Sequence, residues 1–326
     1  MKRIVISVFA LGVCLTLLTV PLMVQPNWGQ SQNPQPEKLE KLIDQARQQR
    51  QQRKSQEAIE TLQQVLAIAG EFKDRQREAI TLNDIGFNYT RISQMEEALK
   101  YYNQALQIMQ EVGDHTEEAN TLNNIGKVYD RISRPQEALK YYNQALPILR
   151  ELKDRLNEAN TLNNIGGVYD SIGELQEALK YYNQALPILR EVKDRAGEAN
   201  TLNNIGLAYH SISQPQEALK YYNQALPILR EVKDRAGVAC TLNNIGLAYQ
   251  SISKVEEALK YYKQALLINR SVGNRAGQAN NLNNIGLAYQ SISKVEEALK
   301  YYKQALPILR SVGNRRQEAI TSYFSR

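Results

Sequence analysis

Apolar and polar positions along this chain repeat with two periods at once. Within a window the apolar residues fall at i, i+3, i+4 and i+7. Ala119, Leu122, Ile125, Gly126, Tyr129 and Ile132 form one such set, and Ala138, Tyr142, Ala145, Leu149 and Leu152 a second. That spacing lines one face of an α-helix. Across windows the whole pattern returns every 40 residues: the stretch Thr121 to Gly126 recurs from Thr81, Thr161, Thr201, Thr241 and Asn281. Each unit is therefore two helices, and an array of such units grows by stacking neighbours instead of closing one core. The expected fold class is all-α, a solenoid of antiparallel helix pairs.

The boundaries between helices carry their own chemistry. Asp114 and its equivalents Asp74, Asp154, Asp194, Asp234, Asn274 and Asn314 are expected N-caps of the first helix, their side-chain oxygens accepting from free amides of the first turn. Ser133-x-x-Gln136, repeated at Ser93, Ser213, Ser253 and Ser293 with Gly173 as the exception, reads as a capping box opening the second helix. Each helix then has about 18 residues and a length of roughly 27 Å. Gly126, Ala138 and Ala145 keep fixed places in the unit and let the two backbones approach. Pro147, Pro187, Pro227 and Pro307 fall inside the second helix, where they are expected to bend it and set curvature. Of a tyrosine pair such as Tyr141-Tyr142, one ring is expected in the core and the other in packing between repeats.

Leu122-x-x-Ile125-Gly126-x-x-Tyr129 followed by Ala138-x-x-x-Tyr142-x-x-Ala145 resembles the tetratricopeptide repeat, whose usual unit has about 34 residues. The resemblance implies a right-handed superhelical solenoid. It covers residues 39–318 as seven units: 39–78, 79–118, 119–158, 159–198, 199–238, 239–278 and 279–318. The additional residues of each unit fall after Ala145, where the second helix and its turn can lengthen. The first unit is degenerate, with Ala46 for the glycine and Gln49 for the tyrosine, and reads as a polar end cap. Its basic stretch Arg47 to Lys54 lacks an aromatic residue for base stacking and reads as a solvated face. Residues 319–326 restart a helix of an eighth unit and then leave the pattern, either capping Tyr302 or belonging to a longer array.

Ahead of the repeats, Lys2 and Arg3 precede an apolar run from Ile4 to Val24. Residues 1–24 read as a signal peptide or membrane anchor and 25–38 as a polar linker, which places the repeats outside the cytoplasm, in the periplasm or beyond the cell. The formal charge of +6 falls to +4 without Lys2 and Arg3, too balanced to argue for nucleic acid or for a membrane surface. Cys14 and Cys240 are the only cysteines. With one of them in the leading run, no disulfide forms within the repeats. His115 and His210 have no repeated acid or cysteine beside them, so neither a metal site nor a cofactor is expected. No acid pair, activated nucleophile or phosphate-binding glycine loop appears, and the expected function is noncatalytic.

Opposite the apolar stripe of the first helix stand Asn120, Asn123, Asn124, Lys127, Asp130 and Arg131, one polar face. In tetratricopeptide proteins this face lines the concave groove. The pattern is similar to kinesin light chain-like arrays, whose paired asparagines hold a peptide backbone. Carried onto this chain, the resemblance selects Asn83, Asn123, Asn163, Asn203, Asn243 and Asn283, with Asn124, Asn164, Asn204, Asn244 and Asn284 beside them. A carboxamide both donates and accepts, so it can pair with a ligand's backbone whatever the ligand's side chains. The same asparagines can instead bond to one another as a ladder that sets repeat register. The face changes from Lys127, Asp130, Arg131 and Asp170 to Leu207, Leu247, Leu287, His210, Gln250 and Gln290. The leading expectation is a scaffold for a peptide or partner protein. The units also look like bacterial arrays joined to caspase-like CHAT domains, which implies a sensor for a separate effector, and self-association through the C-terminal end is a third reading.

Overall fold

The computed structural model describes residues 35–324, all of them in helices or the short links between. The apolar segment 4–24 and most of the linker lie outside the described residues. Seven helix pairs stack in chain order and an eighth first helix follows. The first helix of each unit, helix A, is α1 (Gln35–Gln51), α3 (Arg75–Arg91), α5 (His115–Arg131), α7 (Arg155–Ser171), α9 (Arg195–Ser211), α11 (Arg235–Ser251), α13 (Arg275–Ser291) and α15 (Arg315–Phe324). Helix B is α2 (Ser55–Glu71), α4 (Met95–Val112), α6 (Pro135–Glu151), α8 (Leu175–Glu191), α10 (Pro215–Glu231), α12 (Val255–Ser271) and α14 (Val295–Ser311). Each A packs on its own B and each B on the next A. Consecutive A helices also approach one another from α3 to α13, more closely than any two B helices do. The stack therefore curves with the A helices inside. Among the described residues no helix is long and apolar enough to cross a membrane.

The chemistry expected at the start of helix A is present in every repeat. Asp74, Asp114, Asp154, Asp194, Asp234, Asn274 and Asn314 each accept from the backbone amide three residues on, at 2.9–3.1 Å. The capping box expected at helix B is not there. Ser133 has φ +57°, the cap position belongs to Arg134, and no side chain caps α6. Ser93, Ser213, Ser253 and Ser293 are likewise left-handed, at φ +59° to +62°. These serines end helix A instead of opening helix B, with Arg134 N–H returning to the Tyr129 carbonyl at 2.9 Å, the way a helix closes on a left-handed residue. Gly173, at φ +82°, is thus the residue best suited to the position and not a lost cap. The turn after helix B uses the same device at Lys73, Lys153, Lys193 and Lys233, and at Gly113, Gly273 and Gly313.

The residues beyond the usual repeat length go into helix, not turn. Helix B runs on from Ala145 to Glu151, three residues turn the chain, and helix A begins at Arg155, a full turn and more before Leu162. Pro147 is exposed, so the Asn143 carbonyl it deprives of a donor faces water. Helix α12, with Leu267 in that place, has the same 17 residues as α6.

Within a unit the inner tyrosine is fully buried: Tyr102, Tyr142, Tyr182, Tyr222, Tyr262 and Tyr302. The outer ring stacks on the helix A tyrosine of its own unit, Tyr141 on Tyr129 at 5.4 Å and Tyr261 on Tyr249 at 5.4 Å. It also packs against apolar clusters that span two units, Tyr101 on the one with Leu62 and Tyr141 on the one with Tyr102. Between units, carboxylates act as staples. Glu158, 5% exposed, accepts from Arg150 Nε of the preceding helix B at 3.0 Å and also pairs with Arg155. Glu198 repeats this with Arg190 at 2.9 Å and with Arg195. At the C-terminal end Phe324 stacks on Tyr302 at 6.0 Å, so α15 covers the last buried tyrosine. At the other end the basic stretch of α1 is not merely solvated: Arg50 reaches Asp84 of the next unit at 3.3 Å, and its carbonyl accepts from Arg91 at 2.9 Å.

Candidate binding groove

The A helices bring their polar faces together on the concave side, and the two asparagines of each repeat separate there into different tasks. The first asparagine points along the stack. Asn123 Oδ1 accepts from Thr161 Oγ1 at 2.9 Å, Asn163 from Thr201 at 3.1 Å, Asn203 from Thr241 at 2.9 Å, and Asn283 from Thr321 at 2.9 Å. Asn83 accepts from Thr121 and from Asn124 Nδ2, both at 3.3 Å. Where Asn281 replaces the threonine, Asn243 Oδ1 receives both Asn281 Nδ2 and Asn284 Nδ2 at 2.9 Å. The ladder is thus built from the first asparagine, and Asn123 and Asn283 are buried, at 8% and 3% exposure. The threonine matters as much as the asparagine, a partner that one unit read alone does not reveal.

The second asparagine is nowhere fully buried, whereas the first is buried at Asn123 and Asn283 and half-buried at Asn83, Asn163, Asn203 and Asn243. Asn124, Asn164, Asn204, Asn244 and Asn284 are half-buried. Asn124, Asn204 and Asn284 give their amide nitrogen to the ladder, and their Oδ1 atoms keep the capacity to accept. Asn244 Nδ2 faces Cys240 Sγ at 4.0 Å. Each repeat thus offers acceptor oxygens along the inside of the curve at one-repeat intervals.

The N-terminal half of the groove deepens into a depression of about 320 Å³. Asn83, Asn120, Asn123, Asn124, Lys127 and Asn164 line it together with Arg50, Asp84, Phe87 and Glu117. Arg50 stands over the Phe87 ring at 5.8 Å. Partial desolvation by this wall, with the Arg131 charge adding to it, lowers the Lys127 ammonium below the ordinary lysine value although the residue is exposed overall. Burial likewise raises the carboxyls of Asp84 and Glu117. Further along, burial raises Asp130 and Asp170. The C-terminal half is apolar: Leu207 is 40% exposed, and Leu247 and Leu287 follow it half-buried. His210 Nε2 lies 3.0 Å from Ser251 Oγ of the next unit.

Comparison with known proteins bears on the fold and the family. The family described as tetratricopeptide repeat matches residues 77–151, 134–191, 157–231 and 237–311, together more than half of the chain. No curated protein matches. Among solved structures the chain is similar to the apo form of the quorum sensor NprR from B. thuringiensis, with a TM-score of 0.70 and 20% identity over 84% of this chain and 77% of that one. It is also similar to the apo form of RapI, with a TM-score of 0.69 and 17% identity over 85% and 99% of the two chains. A third is the Podosopora anserina putative kinesin light chain nearly identical TPR-like repeats, with a TM-score of 0.51 and 20% identity over 60% and 97%. At such identities the likeness is one of fold.

Proposed function

The chain belongs to the tetratricopeptide repeat family, and we propose that it is a noncatalytic scaffold holding an extended peptide, or an extended segment of a partner protein, along its concave groove. The observation that carries this reading is the division of labour between the asparagines. Register is kept mainly by the first one bonding to the next unit. The second row at Asn124, Asn164, Asn204, Asn244 and Asn284, which gives the ladder no more than an amide nitrogen, can therefore offer its oxygens to a ligand without dismantling the stack. An extended backbone advances by about 3.3 Å per residue, so a ligand running the length of the groove meets one asparagine every few residues, and affinity accumulates from many weak bonds. The preferred ligand is polar at the end near Asn83 and Lys127 and apolar at the end near Leu207, Leu247 and Leu287. In this reading residues 1–24 export the array, and its partner is a protein of the cell envelope or exterior.

The experiment is selection of displayed random peptides on the full chain, followed by the double substitution Asn164→Ala with Asn204→Ala. Helicity and melting are expected to stay near the parent while peptide capture is lost. Retention of capture would refute the groove, and loss of folding would show that the ladder bond from Asn204 Nδ2 to Asn163 Oδ1 is essential to the stack.

A further inference from the structure

Six of the seven B helices carry the buried tyrosine, from Tyr102 to Tyr302, each ring set against the glycine of its own helix A. The first unit has neither: Leu62 stands where the ring would begin and Ala46 where the glycine would be. A cavity of about 230 Å³ lies at this place, between the first unit and the second. Ile43, Leu62 and Ile80 give it apolar walls, and Arg50, Asp84 and Asn88 line its polar side. The correspondence extends to the hydroxyl. Tyr262 and Tyr302 donate to Gln250 and Gln290 at 2.8 Å, and the residue at that repeat position in the first unit is Arg50.

Asn88 is the second unusual residue. Its equivalents are Val128, Val168, Ala208, Ala248 and Ala288, all buried, and it is itself only 1% exposed. Its Nδ2 donates to the Asp84 carbonyl at 2.9 Å, while its Oδ1 has no hydrogen-bond partner among the described residues. A buried acceptor without a donor is costly, and here it lines a cavity the size of an aromatic side chain. The missing donor is best supplied without charge. An incoming cation would meet Arg47, Arg50 and Arg77, and an anion would meet Asp74 and Asp84.

We propose that this cavity takes the 4-hydroxyphenyl group of a tyrosine in the bound peptide. The ring replaces the one the first unit lacks, and the hydroxyl donates to Asn88 Oδ1 and accepts from Arg50. Arg50 and Asp84 line both this cavity and the groove depression, so a peptide lying in the groove can lower a side chain into it. The peptide part of this inference rests on the groove reading. The cavity itself is testable alone.

The probes are N-acetyl-tyrosinamide and N-acetyl-phenylalaninamide, titrated against the full chain by NMR. The tyrosine compound is expected to saturate, with the phenylalanine compound roughly 3- to 10-fold weaker, the range of one neutral hydrogen bond. Asn88→Val is expected to erase that preference while leaving ring binding. Leu62→Tyr, which restores the array's own ring, is expected to abolish both titrations and raise the melting temperature. Equal binding of the two probes to the parent, or an unchanged titration in Leu62→Tyr, would overturn the proposal. Should Leu62→Tyr fail to fold by circular dichroism, Asn88→Val decides by the preference alone. If the probes bind as expected while Asn164→Ala with Asn204→Ala keeps all peptide capture, the groove reading falls and the cavity stands. If capture depends on those asparagines but neither probe binds, only the cavity proposal falls.

Discussion

The ring of Tyr142 lies so close to the bare backbone of Gly126 that a Cβ built on the glycine would stand 2.6 Å from Cε1. The same relationship joins Gly86 to Tyr102 at 2.8 Å and Gly206 to Tyr222 at 2.5 Å. Alanine is worth about 1 kcal/mol more than glycine inside a helix, so these glycines cost stability locally. They are kept because the ring is itself buried, 1% exposed at Tyr142, with little room to give way to a methyl group. Overpacking of that kind costs about 1–3 kcal/mol. Gly126→Ala is therefore expected to destabilise the array by up to about 2 kcal/mol net. Gly70→Ala in α2, where a Cβ would meet nothing within 4 Å, is expected to stabilise it by up to about 1 kcal/mol. Urea unfolding of the two variants should move in opposite directions, and a stabilised Gly126→Ala would refute the contact.

The ladder makes a separate prediction. Thr201→Val keeps the side-chain shape and removes the donor to Asn163 Oδ1 at 3.1 Å, at an expected cost of about 1 kcal/mol. In an array whose stability is a sum of units and interfaces, that loss falls on one interface. The melting transition should then broaden as units 159–198 and 199–238 uncouple. Asn164→Ala, which touches no ladder bond among the described residues, is expected to stay within about 0.5 kcal/mol of the parent. Equal losses from the two substitutions would mean that register does not depend on the first asparagine.

Much of this architecture is legible in one unit read alone. Apolar spacing gives two helices, and Asp114 announces its cap because a capping side chain acts on an amide only three residues away. Gly126 and Tyr142 announce a close approach by their fixed spacing. Ser133 misleads for a physical reason: a serine just before a helix satisfies the grammar of an N-cap and of a left-handed helix end equally well, and only the backbone angle separates them. The link from Asn163 to Thr201 is hidden because its two ends lie 38 residues apart, a distance that becomes contact only once the units are stacked. The cavity is hidden more deeply still. Leu62 and Asn88 are unremarkable residues singly, and their meaning appears when one is seen to lack a ring and the other a donor at the same place.

The buried tyrosines set an alkaline limit. Burial raises the phenols of Tyr102 and Tyr302 to about 12 and those of Tyr142, Tyr182, Tyr222 and Tyr262 further still. In the unfolded chain each ionises near its ordinary value of 10.0. Between these values the folded state holds more protons than the unfolded one, so stability falls as pH rises. The contribution is intact below pH 10 and is lost as pH climbs through the folded values. Melting temperature is expected to be flat from pH 8 to about 9.5 and to drop steeply above it. The inner tyrosinate absorbance should appear together with loss of helicity. Ionisation of all the tyrosines before any helix is lost would show that the inner six are open to solvent.

The left-handed serine permits the most direct test of local structure. A non-glycine residue at positive φ costs roughly 1 kcal/mol, and Ser133 at φ +57° bears that cost where Gly173, its counterpart one unit later, does not. Ser133→Gly is therefore expected to stabilise the array by about 0.5–1 kcal/mol, with part of the gain offset by the freer unfolded chain. Ser133→Ala should stay within about 0.5 kcal/mol of the parent, since the serine side chain caps nothing in α6. A capping box would give the reverse order, with alanine costing about 1 kcal/mol. Gln136→Ala supplies the control, because a capping box also needs the glutamine and a helix end at Ser133 does not. Urea midpoints ranking glycine above serine and serine level with alanine would establish the turn. An alanine variant clearly weaker than the parent would restore the cap.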